Sequence, residues 1–170
     1  RDNLDKYPLL ALNYILGGSG ALTSRLGEKI RAEQGKAYSV WSSYGFGKEE
    51  GMFYAAAQTA LPHTKDVIGE IHSAIAGMAE DPKITDEELK RAKQVILRSL
   101  FFDYETPFAL VSDLAKFSLW GYPENYLTRF QRQIAGLNRD DLVRVRSYLQ
   151  PESLVTLVVA DRSVVPALKE

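Results

Sequence analysis

The 170-residue sequence contains no cysteine and only two histidines. Without cysteine, neither a disulfide framework nor a thiolate metal site can form. The formal net charge of −1 gives no electrostatic basis for binding nucleic acid or an anionic membrane surface. No hydrophobic run reaches the roughly 18 residues that a membrane-spanning helix needs. These absences predict a globular protein with no nucleic-acid partner and no membrane span.

The two histidines do not have the spacing of a zinc site. His63 and His72 stand nine residues apart, which is about 900° of rotation on a helix and places them on opposite faces. A helical pair of zinc ligands is spaced i, i+4 instead. We therefore predict that this chain binds no metal through its own residues.

The glycine-rich stretch "GGSG" at residues 17–20 is superficially similar to two kinds of functional loop. A nucleophile elbow around Ser19 and a phosphate-binding loop both require a preceding strand, and the phosphate loop also requires a following lysine. The residues before Gly17 have a helical period instead. The stretch is predicted to be a connection in which glycine permits positive φ or close backbone approach.

Apolar residues recur at helical spacing along much of the chain. Leu9, Leu12, Ile15 and Leu16 lie on one stripe, which predicts a first helix. A second helix carries Leu26 and Ile30, and Gly35 is placed to end it in the left-handed conformation. Further on, Thr85 and Glu88 form a capping box at the start of a long helix.

Two segments have the period of a strand. Residues 38–46 alternate, with Tyr38, Val40, Ser42, Tyr44 and Phe46 directed to one face. After the predicted hairpin loop "GKEEG", residues 52–60 return as an antiparallel partner. A third segment, "SLVTLVVA" at 153–160, is almost continuously apolar and is predicted to be a central strand buried on both faces.

These elements predict an α+β fold in which helices pack on one face of a small, mainly antiparallel sheet. The length and the 45% content of hydrophobic residues favour a single domain over residues 1–170. Three strands make an incomplete sheet. We expect the sheet to take a further strand from outside this sequence, upstream of it.

Arg31 and Tyr38 flank the predicted junction between helix and strand, and two interpretations are open. In the structural one, the arginine satisfies carbonyls at the helix end and the tyrosine opens the strand. In the functional one, the turn at Gly35 and Lys36 brings both side chains to one spot. A guanidinium and a phenol there would hold a peptide carbonyl and stabilise a developing oxyanion.

The stretch "GGSGALTSRLGEKIRAEQGKAYSV" resembles the non-catalytic domain of the pitrilysin/insulinase zinc peptidases, especially their mitochondrial-processing-peptidase branch. The resemblance rests on a small-residue loop, a Ser24-Arg25-Leu26 helix and an arginine–tyrosine pair at Arg31 and Tyr38. Gly35, Ala37 and Ser39 also agree with the family pattern. Gln34 stands where the family has a basic residue, and Lys36 stands where it has a leucine. The order of elements continues the resemblance over most of the chain, which lacks the family's first strand.

The resemblance implies a division of labour between two domains. The catalytic domain or subunit carries Zn²⁺ on an H-x-x-E-H motif that this chain lacks, and the zinc-free domain faces it. Arg31 and Tyr38 would help to bind an unfolded peptide substrate and its transition state, and Gly17, Gly18 and Gly20 would border the peptide channel. This chain alone would have no activity, and the assembled enzyme would be a single polypeptide or a homo- or heterodimer.

Two other functions fit the same sequence. One is a degenerate, non-proteolytic scaffold or assembly subunit of the same family, which a partner with a broken zinc motif would favour. The other is a free-standing peptide-binding module that uses the edge of the hairpin for strand addition. Composition does not distinguish a cytoplasmic from a periplasmic location.

Overall fold

The computed structural model describes residues 3–46 and 51–164, and four of the five residues of the predicted hairpin loop "GKEEG" lie outside this part. The principal elements, in chain order, are helix α1 (Lys6–Leu16), a π-helix (Gly27–Glu33), strands β1 (Ala37–Phe46) and β2 (Gly51–Thr59), and helices α2 (Thr64–Glu80), α3 (Asp86–Asp103), α4 (Pro107–Leu119), α5 (Tyr126–Gly136) and α6 (Arg139–Val145). Short 3-10 turns complete them at Leu61–His63, Arg146–Tyr148, Pro151–Ser153 and Arg162–Val164.

Helix α1 is the centre of the hydrophobic core. The predicted stripe of Leu9, Leu12, Ile15 and Leu16 is buried, as the helical spacing required. Strand β1 and helices α2, α3, α5 and α6 all contact α1. Because α1 is covered on several sides, all of its residues are buried or half-buried, including the polar Asn13.

Strands β1 and β2 form an antiparallel pair, with Val40 opposite Ala57 and Tyr44 opposite Phe53. Val40 and Ser42 are both buried against the core and therefore share a face, as the alternation predicted. The alternation is wrong for Tyr38, which it placed on the same face but which is 79% exposed. A bulge between Ala37 and Ser39 inserts one extra residue, Tyr38, into β1. The insertion interrupts the alternation of side chains, so Tyr38 does not lie on the face of Val40 and Ser42.

The prediction of a central strand at residues 153–160 is also wrong. Residues 154–159 form no ladder, and Val155, Leu157 and Val159 are strongly exposed. The physical reason is that a strand needs a hydrogen-bonding neighbour, and within the described residues none lies beside this segment. The described sheet therefore has two strands, β1 and β2.

The predicted α+β class is confirmed, with helices making up most of the structure and the sheet remaining small. The capping box at the start of α3 is also confirmed, because Thr85 and Glu88 exchange hydrogen bonds between side chain and backbone. None of the helices in residues 3–46 and 51–164 combines the length and the hydrophobicity needed to cross a bilayer.

Candidate functional site

The Gly17–Gly20 loop leaves the end of α1 and passes against β1. The Ser42 N–H donates to the Gly17 carbonyl at 2.9 Å, and Gly18 forms an isolated parallel bridge with Ser42. A Cβ on Gly17 would lie 2.8 Å from Ser42 Oγ and 2.9 Å from Ser42 N. A side chain at this position would therefore push the loop away from the strand.

The backbone donors of this loop are used inside the protein. The N–H groups of Gly17 and Gly18 both donate to the Asn13 carbonyl, and the Gly20 N–H donates to the Gly17 carbonyl. Ser19 and Gly20 adopt positive φ, at 58° and 62°. The geometry is that of a tight connection and not of a phosphate cradle, which would present these donors to a ligand.

Ser24 starts the helix that carries Arg31. Its Oγ donates to the Ala21 carbonyl at 2.7 Å and accepts the Gly27 N–H at 3.2 Å. Glycine is required at position 27, because a Cβ there would lie 2.2 Å from the Ala21 carbonyl oxygen. The cap and the close approach fix the direction in which the helix leaves the loop.

The helix itself is a π-helix over Gly27–Glu33. The Gln34 N–H donates to the Lys29 carbonyl, and the Lys36 N–H donates to the Ile30 carbonyl. Gly35 ends the helix with a φ of 62°, as its position in the sequence predicted. An added Cβ on Gly35 would meet no atom within 4 Å, so the glycine is required for its backbone conformation alone.

The strand that follows the turn is fixed by two side-chain contacts at its bulge. Thr59 Oγ1 donates to the Lys36 carbonyl at 2.5 Å, and Ser39 Oγ donates to Gln58 Oε1 at 3.0 Å. Tyr38 lies between these anchors and is the extra residue of the bulge. Its ring is directed to solvent, whereas Ala37 is buried.

Arg31 is exposed on the π-helix, and this helix contacts β1. The side chains of Arg31 and Tyr38 make no hydrogen bond, ion pair or ring contact with the described residues, so no bond joins the two side chains. The lysines on either side of Arg31 are engaged instead. Lys29 pairs with Glu70 at 3.0 Å and Lys36 with Asp66 at 2.8 Å.

These ion pairs favour the charged form of Asp66 and Glu70 of α2. The hydrogen bond and the charge of Lys36 lower the pKa of Asp66. Hydrogen bonds from Gln34 and Lys29 lower the pKa of Glu70. Lys29 and Lys36 thus attach the π-helix to α2, whereas the side chain of Arg31 forms no ion pair with the described residues.

Arg25 has a structural role that the sequence did not reveal. Its Nε and Nη2 donate to the two carboxylate oxygens of Glu88 at 2.7 and 3.1 Å. Burial raises the pKa of Glu88, but the hydrogen bonds from Arg25 and Thr85 outweigh it and leave the pKa below its usual value. The capping box in the sequence predicted the position of Glu88 at the start of α3. It did not predict the ion pair with Arg25, which lies 63 residues earlier in the chain.

The side chains of the described residues do not form a site that fits a zinc ion. Across residues 3–46 and 51–164, no group of three or more histidine or acidic side chains is close enough to hold a metal. His72 Nε2 instead contacts Thr156 Oγ1 at 2.9 Å. His63 is the second of the two histidines in the sequence.

The fold and the sequence both match one family of known proteins. Residues 1–96, more than half of the chain, match the family described as the peptidase M16 inactive domain. The chain therefore belongs to the peptidase M16 family, as a member of its inactive-domain type. This confirms the predicted membership of the pitrilysin/insulinase zinc peptidases, whereas the mitochondrial-processing-peptidase branch stays a prediction.

Three relatives illustrate the match. An uncharacterized zinc protease, YmxG of Bacillus subtilis, is 32% identical over 100 residues, which are 59% of this chain and 24% of that protein. The crystal structure of a peptidase M16 inactive domain from Pseudomonas fluorescens has a TM-score of 0.76 at 24% identity, covering 87% of this chain and 35% of the other. A chain of complex III2 from Candida albicans has a TM-score of 0.70 at 18% identity, covering 86% and 37%.

The chain thus spans about a quarter of the curated relative and about a third of each of these two structures. The two structural likenesses establish the fold. Any statement about the activity, substrate or partners of the whole protein is therefore a proposal.

Proposed function

We propose that this chain is the non-catalytic half of a zinc endopeptidase, in which Arg31 and Tyr38 bind the peptide substrate and stabilise the transition state. The zinc site lies on another domain or subunit that carries H-x-x-E-H. The substrate is an unfolded peptide. Membership of the inactive-domain family supports the general assignment, and the local backbone geometry supports the two residues.

The observation that carries the proposal is that each of these residues lies on an uncommon backbone feature. Arg31 is on a π-helix, a conformation that is rare and frequently found at functional sites. Tyr38 is on a β-bulge, a feature that re-aims side chains beside active sites. Both irregularities direct a polar group to solvent from neighbouring elements that contact each other. A purely structural pair would have partners within the fold.

The chemistry of the two groups suits a peptide bond under attack. The Arg31 guanidinium is a permanent cation with a planar set of donors, and it binds a carbonyl or carboxylate with two N–H groups. The Tyr38 hydroxyl is a neutral donor. Donors aimed at the oxygen where negative charge develops are worth roughly 10²- to 10³-fold in turnover each. Lewis-acid activation of the carbonyl and of water would come from the zinc of the catalytic half.

The glycine loop has a lesser part in this proposal. Gly17 and Gly18 are buried against Ser42 and Asn13, whereas Ser19 is exposed. We place the loop at the border of the peptide channel, where a peptide would meet Ser19 and Gly20. Gly17 and Gly18 would act only by holding the loop close to β1.

The test uses the full-length protein together with any polypeptide that co-purifies with it. In Arg31→Ala and Tyr38→Phe variants, we expect turnover of a fluorogenic peptide to fall roughly 10²-fold. Zinc content and thermal midpoint should be unchanged, because both side chains are exposed and have no partner in the described fold. Arg98→Ala and Tyr54→Phe are matched controls, since Arg98 and Tyr54 are also exposed, and they should keep full activity.

Unchanged turnover in both variants, with zinc retained, would show that Arg31 and Tyr38 have no role in the reaction. A rise in KM with constant kcat would assign them to substrate binding alone.

The second candidate is a non-proteolytic scaffold subunit. The fold likeness to a chain of complex III2 favours it, because the same domain type occurs there in a large assembly. Sequencing the polypeptides that co-purify with the full-length protein separates the two candidates. An intact H-x-x-E-H supports the peptidase, and its absence from every polypeptide supports the scaffold.

A further inference from the structure

Trp41 lies on the outer face of the β1–β2 hairpin, the face turned away from the core. Val40 and Ser42, on either side of it in the sequence, are buried against the core. Because successive side chains of a strand alternate between its two faces, the indole of Trp41 lies on the opposite face. Trp41 is half-buried there and is not a member of the hydrophobic core.

The nearest neighbours of Trp41 on this face are small and uncharged. Ala56 lies opposite it on β2, and Ser39 and Ser43 are the next residues of β1 with the same orientation. At the edge of the strand, a Cβ added to Gly20 would lie 3.8 Å from Trp41 Cβ. Four small residues around one indole leave room for a further side chain against the ring.

The polar group of Trp41 is also free. Its side chain makes no hydrogen bond and no ring contact with the described residues, and its indole N–H is not enclosed in the protein. Tryptophan is enriched at binding surfaces because it combines a large apolar ring with a single hydrogen-bond donor. A peptide can use both parts, since it supplies a side chain for the ring and a backbone carbonyl for the donor.

Trp41 lies between the two features that the proposed function places beside the substrate. Tyr38 precedes it by three positions, which is roughly 10 Å along an extended strand. On its other side, the glycine loop reaches β1 through the bridge between Gly18 and Ser42. A peptide that extends from Tyr38 to the glycine loop therefore passes the indole.

We propose that Trp41 is the floor of a substrate subsite that takes an aromatic or other large apolar side chain of the peptide. That side chain packs against the indole ring, and the indole N–H donates to a carbonyl of the peptide backbone. The small residues around the ring carry no charge, so the subsite does not compensate the desolvation of an acidic or basic side chain. The inference rests on the proposed function, because it names the peptides that the site of Arg31 and Tyr38 accepts.

The test measures cleavage of peptides that differ at one position, by the full-length protein with any polypeptide that co-purifies with it. An extended peptide advances about 3.3 Å per residue, so the subsite lies within about three residues of the cleaved bond. Phenylalanine, leucine, alanine and aspartate are placed in turn at each of these positions. At one position, phenylalanine and leucine should raise kcat/KM roughly 10- to 100-fold over alanine, and in Trp41→Ala this preference should fall below about 3-fold.

Two further variants are controls. Trp41→Phe should keep most of the preference, because it retains an aromatic ring. Trp120→Ala should leave the preference unchanged, since Trp120 is the other tryptophan of the sequence and is 46% exposed at the end of α4. The preference is a ratio measured on one preparation, so partial unfolding of a variant does not alter it. An unchanged preference in Trp41→Ala would overturn the subsite, as would an equal loss in Trp120→Ala.

Failure of the subsite and failure of the proposed function give different results. In Arg31→Ala, turnover should fall for every peptide while the preference stays, because Arg31 contacts the peptide bond and not the selected side chain. If the full-length protein cleaves no peptide, the proposed function fails. Fluorescence anisotropy of the same peptides, labelled with fluorescein, then measures the subsite by binding. Tighter binding of the phenylalanine peptide that is lost in Trp41→Ala supports the subsite, and equal binding of the phenylalanine and alanine peptides overturns it.

Discussion

At the residue scale, Gly17 and Gly27 differ from Gly69 and Gly77 in what surrounds the position that a side chain would occupy. Gly17 and Gly27 are required because another part of the chain lies where their side chain would be. Gly69 and Gly77 lie in α2 with open space around them, so a side chain there costs nothing in packing. Sequence alone shows all four as glycine and does not separate these groups.

Gly17→Ala should lower the free energy of unfolding by about 1–3 kcal/mol, because the new methyl group clashes with Ser42 and Leu26. Gly69→Ala is the matched control and should raise it by about 0.5–1 kcal/mol, since alanine is the better helix former. Urea denaturation followed by circular dichroism measures both changes. Equal effects of the two substitutions would contradict the close approach of the loop to β1.

At the scale of elements, the helix that leads to Arg31 is attached at both of its ends. Arg25 connects its start to the N-terminus of α3 through Glu88. Lys29, Gln34 and Lys36 connect its end to α2. Arg31 therefore lies between attachments to α3 and to α2.

Glu88→Gln should lower the free energy of unfolding by about 1–2 kcal/mol, because it removes the charge of both the ion pair and the capping box. The pKa of Glu88 lies below its usual value of 4.5, so the folded state binds its proton less readily than the unfolded chain. The stabilisation is complete above about pH 4.5 and is lost as the pH falls through the lower, folded-state pKa.

The adjacent Glu87→Gln variant is the control for this prediction. Glu87 is 71% exposed and its nearest cation, Arg91, is 3.9 Å away, so its replacement should change stability by less than about 0.5 kcal/mol. Denaturation curves of both variants at neutral and acidic pH test the difference. A pH-independent loss in Glu88→Gln would show that its charge is not the source of stabilisation.

At the scale of the whole molecule, Asp5 connects the start of α1 to residues about 140 positions later in the chain. Its carboxylate accepts hydrogen bonds from Arg144 and, at 2.8 Å, from the hydroxyl of Tyr148. The Arg144 hydrogen bond, with a smaller contribution from Tyr148, lowers the pKa of Asp5 despite partial burial. The contact joins the start of α1 to α6 and to the turn Arg146–Tyr148 that follows it.

Asp5→Asn should destabilise the protein by about 1 kcal/mol at neutral pH. Because the folded-state pKa is below the usual 3.8, the difference from the unsubstituted protein should shrink as the pH falls from about 4 through that lower value. Thermal melts across this range measure it. Asp81→Asn is the control, since Asp81 is 63% exposed and lies 3.7 Å from Lys83. An equal loss in the two variants would contradict a specific role for Asp5.

Local sequence determined most of the helical part of this fold. The apolar stripe of α1, the capping box of α3 and the left-handed turn at Gly35 depend on residues within one or two turns of each other, and all three predictions are confirmed. The similarity around Arg31 and Tyr38 likewise gave the family, because a motif of fixed spacing is a local property.

Tertiary structure decided what depends on distant residues. The bulge that directs Tyr38 to solvent arises from pairing with β2. The alternation within β1 alone predicted that Tyr38 shares the face of Val40 and Ser42. The partner of Arg25 lies 63 residues away. The segment 154–159 has the composition of a buried strand, but burial and pairing require a neighbour. Sequence patterns record the preferences of a segment, whereas register and pairing are set by the other segments that it meets.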